Sequence, residues 1–271
     1  TKDWPPQISV NNHPEYNSAL AKVMSLADFE RSSHSPTHSS FHLERMSILL
    51  DLLDNPQVGI PTIHVAGTKG KGSTAAMIAS ILTANGNKTG LYTSPHLHSM
   101  TERIRVGRNP IEKTAFATLL NLVWPAAKLV EKKGEYGPVT TFEIITAMAF
   151  LYYKQVGVDF QVIEVGLGGR LDATNVVTPM VSVITSISLD HVVPLGKTLA
   201  LIAAEKAGII KANIPVIVAP QTREALEVLI RFSVEKEAPI VQVGKEVSWQ
   251  VQTADMKGQF INVEGLLNKY Q

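Results

Sequence analysis

Apolar residues recur along this chain with two different periods. In "EYNSALAKVMSLADFE" at 15–30, Leu20, Val23, Met24 and Ala27 fall at helical spacing, and "FHLERMSILLDLL" at 41–53 repeats that pattern. The stretch between them, "RSSHSPTHSS", is polar and interrupted by proline, which predicts a loop. After Pro61 the pattern changes to short β-branched runs alternating with longer amphipathic segments, the mark of parallel βαβ units. Strands are predicted at "TIHVA" (62–66), "KTGLYTS" (88–94), "FQVIEV" (160–165), "VSVITSI" (181–187) and "IPVIVA" (214–219). Several are apolar at consecutive positions, as expected of strands covered by helices on both faces. Helices are predicted near 73–85, 111–133, 140–156, 197–207 and 222–236.

The fold class that follows is α/β, a doubly wound and mostly parallel sheet. A helical lead-in is expected over about 1–60, the α/β core over about 61–238, and a small β meander over about 239–264, where apolar and polar residues alternate between glycine turns. The final "LLNKYQ" is read as supplying no closing structure, so the chain is expected to stop before its natural end.

Composition narrows the partners. Lys and Arg number 25 against 24 Asp and Glu, a net charge of +1 with no basic run, so neither nucleic acid nor a membrane surface is an expected partner. The chain has no Cys, which removes disulfides, thiolate metal sites and a Cys nucleophile. Its longest strongly apolar stretch, "AMAFLYY" at 147–153, falls far short of the ~20 residues that span a bilayer. The first residues lack a secretory signal, and a cytoplasmic location is expected.

The chemistry concentrates in "AGTKGKGST" at 66–74. The Walker pattern, G-x-x-x-x-G-K-[ST], is not met: only Thr68 and Lys69 separate Gly67 from Gly70, and Gly72 separates Lys71 from Ser73. The context is nevertheless that of a phosphate loop. A strand delivers the chain, Gly67, Gly70 and Gly72 let backbone N–H groups converge, and a helix with Ala75, Ile78, Ala79 and Leu82 on one face begins directly after. Residues Gly67, Thr68, Gly70, Lys71, Gly72, Ser73 and Thr74 are therefore expected to bind nucleotide, Lys71 reaching the terminal phosphates and the Ser73 or Thr74 hydroxyl lying near a metal. The competing reading is an ordinary βα turn, and Lys69 reads as a solvated turn residue.

Other strand ends should converge on this loop, because parallel sheets present ligands at their carboxyl edge. Ser94 and His96 follow the second strand, Ser94 as a metal or substrate ligand, while His96 and His98 read as solvated loop residues. Glu164 ends the third strand, where an acid is costly unless it holds Mg²⁺ or pairs with a base such as Arg170. His191 follows the fourth strand. Lys206, in "TLALIAAEKAGII", is either a snorkelling residue or a buried functional amine.

With these residues assembled, the chain resembles the Mur ligase superfamily, and within it folylpolyglutamate synthase and dihydrofolate synthase. The likeness is carried by "YNSALAKVMSLADFE", "HLERM", "HVAGTKGKGSTAAMIASIL", "GLYTSPHL", "ERIRV", "TTFEIITAMAF", "IEVGLGGRLDATN", "SLDH" and "AAEKAGIIK", in order across residues 16–220. The family loop is usually Gly-Thr-Asn-Gly-Lys-Gly-Ser, so the short spacing is a family form and only Lys69 departs.

The resemblance implies that Gly70, Lys71, Gly72 and Ser73 hold the phosphates of ATP. It implies that Ser94, Glu164 and His191 bind Mg²⁺, with two metal sites, and that Lys206 is carbamylated. Lys71, Glu164, His191 and Lys206 would be the catalytic set. A pterin-bearing substrate would lie against His42 and Leu43, against Thr140, Thr141, Phe142 and Glu143, and against Leu171 and Asp172. The implied reaction is transfer of the γ-phosphoryl group to a carboxylate of folate or dihydropteroate, followed by attack of the L-glutamate amine on the acyl phosphate. Family members carry a C-terminal Rossmann-like domain, expected to be missing here, so the chain alone is expected to bind nucleotide weakly and to ligate slowly or not at all. A monomer is expected. The alternatives are another Mur-type amino-acid ligase and a non-catalytic nucleotide-binding module.

Overall fold

The computed structural model describes residues 13–28, 41–189, 195–256 and 258–270. Five buried residues, Thr62–Ala66, form β1 at the heart of an eight-stranded sheet. The other strands are β2 (Thr89–Tyr92), β3 (Ile104–Val106), β4 (Asn109–Pro110), β5 (Phe160–Glu164), β6 (Val181–Ile184), β7 (Val216–Val218) and β8 (Ile240–Gln242), in the spatial order β4-β3-β2-β5-β1-β6-β7-β8. From β2 to β8 every neighbouring pair is parallel, and only the β2–β3 and β3–β4 pairings at one edge are antiparallel. From β1 the chain passes to β2, returns to β5 between them, then crosses β1 to reach β6. That reversal opens a crevice at the carboxyl end of β1, where doubly wound sheets take their ligands.

Strand alternation sends Ile63 and Val65 of β1 into a cluster with Ala75 and Ala79 of α3 (Lys71–Ala84). A larger core joins α1 (Pro14–Met24), α2 (Leu43–Asp51), α4 (Lys113–Lys133) and α5 (Thr141–Val156) with Tyr92 of β2 and Ile163 of β5. A third core packs α6 (Leu199–Ala207) and α7 (Arg223–Glu235) against Ile184, Val216 and Val218. Among the described residues no helix is long and apolar enough to cross a membrane.

The region read as one meander divides in two. Ile240–Gln242 pairs parallel with β7 and extends the large sheet, and only from Ser248 does a separate antiparallel sheet begin. That sheet consists of β9 (Ser248–Asp255), β10 (Gly258–Glu264) and β11 (Lys269–Tyr270). "LLNKYQ" does supply structure, because Lys269 and Tyr270 pair with Glu264 and Val263 of β10.

Candidate active site

Each glycine of the short loop has a distinct steric reason to be there. Gly67 leaves β1 at φ 140°, and a Cβ there would sit 1.8 Å from Thr185 Oγ1, so no side chain fits. Thr68 and Lys69 both donate their N–H groups to Ser186 O, at 2.9 and 3.3 Å, and the Thr68 hydroxyl donates to Ser188 O at 3.1 Å. The first half of the loop is thereby pinned to the end of β6. Thr68 is buried in that attachment, while the Lys69 side chain stands in solvent as expected of a turn residue.

Gly70, at φ 83°, turns the chain into α3 without a side-chain cap. The helix starts at Lys71, two residues earlier than the sequence pattern suggests, and its first internal bond runs from Thr74 N to Gly70 O at 2.9 Å. A helix start leaves the N–H groups of residues 70–73 without intrahelical acceptors, and the positive end of the helix dipole lies at the same point. Lys71 adds a full positive charge there. Such an arrangement binds phosphate.

Gly72 accounts for the unusual spelling. A Cβ at Gly72 would lie 3.2 Å from Glu164 Oε2 and 3.5 Å from Oε1, so its absence lets the acid approach the first turn of α3. Glu164 ends β5 beside Val65 of β1, is 4% exposed, and accepts the Ser94 N–H through Oε2 at 3.1 Å. Ser94 lies two residues beyond β2, which pairs with β5. A serine hydroxyl and a buried carboxylate are hard oxygen donors of the kind Mg²⁺ takes. Arg170, the alternative partner for Glu164, donates instead to Glu205 Oε1 from Nε and Nη2, at 3.1 and 2.9 Å. His191 lies outside the described residues, and among those that are described no three His, Asp or Glu side chains gather.

His98 is exposed, as its sequence context suggests, but His96 is not simply solvated: its Nδ1 accepts from Arg103 Nε at 3.0 Å, and Arg103 is buried. Lys206 is buried as well. Its Nζ donates to Gly67 O at 2.7 Å, which removes the snorkelling reading and places the amine under the phosphate loop.

The residues carried over for the pterin divide by exposure. Thr140 caps α5 in a reciprocal box with Glu143, whose carboxylate also accepts Arg45 Nε at 2.9 Å in a buried ion pair. Thr141 donates from its hydroxyl to Val23 O at 3.0 Å and from its N–H to Ala27 O at 3.0 Å. Asp172 is buried, accepting the Leu167 N–H at 2.8 Å, the Thr174 N–H at 3.0 Å and the Thr174 hydroxyl. Burial holds its carboxyl above the ordinary Asp value, against the pull of those hydrogen bonds. These four side chains hold the frame. His42, Leu43, Phe142 and Leu171 keep part of their surface open. Phe142 stands at the end of β5, where a Cβ on Gly166 would meet its ring at 2.5 Å, and the His42 ring lies 5.4 Å from that of Tyr136. Arg45 was not singled out by sequence reasoning. A lone base on the apolar face of "LERMSILL" was the available signal.

Comparison with known proteins places the chain in a family. Residues 65–265 match the family described as the Mur ligase middle domain. The chain is 39% identical over 240 residues to a dihydrofolate synthase/folylpolyglutamate synthase of Mycobacterium tuberculosis, covering 84% of this chain and 49% of that protein. It is 47% identical over 197 residues to the Bacillus subtilis protein of the same name, covering 72% and 45%. Among solved structures, an FPGS–AMPPCP–folate complex superposes with a TM-score of 0.84 at 36% identity, over 94% of this chain and 60% of that one. The chain thus spans about half the length of the curated relatives it matches. With a phosphate loop of the expected form inside the matched region, the chain belongs to the Mur ligase family and carries its middle domain.

Proposed function

We propose that this chain is the ATP-binding part of a ligase that joins L-glutamate to a carboxylate of folate or dihydropteroate through an acyl phosphate. One observation carries the reading: the glycine loop meets the buried Glu164 carboxylate at Gly72, in the first turn of α3, and the buried Lys206 amine at the Gly67 carbonyl. The relatives' names and the ATP analogue and folate of the solved complex support the substrate classes.

In this mechanism the amides of residues 70–73 and the Lys71 ammonium bind the β- and γ-phosphates and stabilise the charge that spreads over the transferred group. Ser94, Glu164 and His191 would hold Mg²⁺, which when bound supplies further positive charge at the phosphates. The substrate carboxylate attacks the γ-phosphorus and ADP leaves. The glutamate amine then attacks the acyl carbon and expels inorganic phosphate, forming the amide. His42, Leu43, Phe142 and Leu171 offer partly open surface for the pterin-bearing substrate, framed by Thr140, Thr141, Glu143 and Asp172. Carbamylation of Lys206 would leave one N–H on Nζ, enough to keep the bond to the Gly67 carbonyl, and would turn a positive group beside the loop negative.

The test is a substrate panel on the intact protein, dihydropteroate against a reduced folate monoglutamate, with ATP, Mg²⁺ and glutamate. The expected result is ligation of at least one substrate and its loss in Glu164→Ala. Ligation of neither removes the folate assignment, and undiminished ligation by Glu164→Ala removes the metal assignment.

A further inference from the structure

Several buried polar groups and backbone contacts form a path that begins on β1 and returns to Gly67, the residue after it. His64, in the middle of the strand, has Nε2 2.9 Å from Thr174 Oγ1. The Thr174 hydroxyl donates to Asp172 Oδ1, and the two Asp172 oxygens accept the N–H groups of Leu167 and Thr174, tying residues 167–174 into a closed loop. Within that loop the Arg170 N–H donates to Glu205 O at 2.8 Å, while a Cβ on Gly169 would lie 2.7 Å from the same carbonyl. The loop is therefore seated directly on α6. The next residue, Lys206, donates to Gly67 O, three residues beyond His64. His64 and Thr174 have no exposed surface, and Asp172 and Lys206 have about as little.

The proton order in this path follows from its donors. Because the Thr174 hydroxyl donates to Asp172, its oxygen accepts from His64 Nε2–H, so the imidazole is neutral with its proton on Nε2. Burial, aided by the nearby Lys211, lowers the His64 pKa to about 3, and the ring stays uncharged at neutral pH. Each bond lies in a dry interior, where polar contacts fix geometry strongly.

We propose that His64, Thr174 and Asp172 form a positioning brace that sets the height of Lys206 beneath Gly67 and so the shape of the phosphate loop. This rests on the reading that residues 67–74 hold nucleotide phosphates. It gives Asp172 work other than contact with a substrate ring, because its carboxylate is enclosed by its own loop.

The test measures equilibrium binding of a non-hydrolysable ATP analogue with Mg²⁺ to the full chain, as wild type, Thr174→Val, Thr174→Ser, Lys206→Met and the double variant Thr174→Val/Lys206→Met. Circular dichroism checks that each is folded at the assay temperature. Thr174→Val conserves shape and removes the hydroxyl; it is expected to weaken binding about fivefold or more, with Thr174→Ser close to wild type. Lys206→Met is expected to weaken binding too, and the double variant to be no weaker than the worse single, because both act through Gly67. Asp172→Asn interrupts the brace from its other end and is expected to reproduce Thr174→Val, which keeps the test open if the valine variant does not fold. Binding within twofold of wild type in both Thr174→Val and Asp172→Asn overturns the proposal, as do multiplicative losses in the double variant. Absence of analogue binding by the wild type overturns the phosphate-loop reading itself, and the brace with it.

Discussion

Substituting Gly72 by Ala separates the folding role of the phosphate loop from its chemical one. The residue sits in the first turn of α3, where Gly to Ala in a helix ordinarily gains up to about 1 kcal/mol. Opposing this, the added Cβ would lie 3.2 Å from Glu164 Oε2, closer than a comfortable van der Waals contact. Glu164 is 4% exposed and tied to the Ser94 N–H at 3.1 Å, so the carboxylate must shift by a few tenths of an ångström against that bond. A hydrogen bond to a charged group contributes roughly 1.5–3 kcal/mol, and a shift of a few tenths of an ångström removes only part of that, so helix gain and carboxylate loss are of similar size and oppose each other in folding. No such cancellation operates at the site, since helix propensity does nothing for metal or phosphate. Thermal unfolding of Gly72→Ala should therefore stay within a few degrees of wild type, while Mg²⁺-dependent binding of an ATP analogue falls about tenfold or more. Wild-type binding with wild-type Mg²⁺ dependence in Gly72→Ala would refute the reasoning.

Removing the Arg45 guanidinium by Arg45→Met leaves the Glu143 carboxylate buried without its cation, and unfolding should reveal a loss of about 3–5 kcal/mol. Gly169→Ala drives a Cβ to 2.7 Å from a backbone carbonyl of α6, which should cost about 1–3 kcal/mol in denaturant unfolding and weaken nucleotide binding through Lys206. For His64, a folded pKa of about 3 against 6.5 means that the unfolded chain binds the extra proton between those values. Stability linked to His64 is thus fully present above pH 6.5 and is lost as pH falls towards 3, at up to about 1.4 kcal/mol per pH unit. His64→Gln should flatten that part of the stability–pH curve, and an unchanged slope would show that the imidazole is not the group responsible.

Much of the fold is written locally, and locality ends at the strand termini and the sheet edges. β1 coincides with "TIHVA", and β5 with all but the last residue of "FQVIEV", because a strand buried on both faces is a continuous apolar run. Two strands are shorter than their apolar stretches, and the residues past their ends make contacts around the glycine loop. β2 ends at Tyr92, which frees Ser94 to reach Glu164, and β6 ends at Ile184, which frees residues 185–188 to hold the phosphate loop. The strands β3 and β4 escaped notice because two or three residues leave no measurable period. β8 was grouped with the meander because alternation marks a strand without naming the sheet it joins.

The site divides the same way. The meeting of Ser94 with Glu164 is legible because topology brings the ends of β2 and β5 together. Arg45, the cation beside Glu143, and Thr174, the partner of His64, lie 98 and 110 residues away in the chain, and no spacing rule links them. Such a pair binds Glu143 into the frame, whereas Asp172 is enclosed by local bonds from Leu167 and Thr174.

The central claim, that residues 67–74 with Glu164 form a working phosphate site, is tested most directly by calorimetric titration of the intact protein with a non-hydrolysable ATP analogue, with and without Mg²⁺. The account predicts saturable binding at one site, strengthened by Mg²⁺ and abolished by Lys71→Met in a variant that unfolds at the wild-type temperature. No binding by the wild type, or undiminished binding by Lys71→Met, would contradict it.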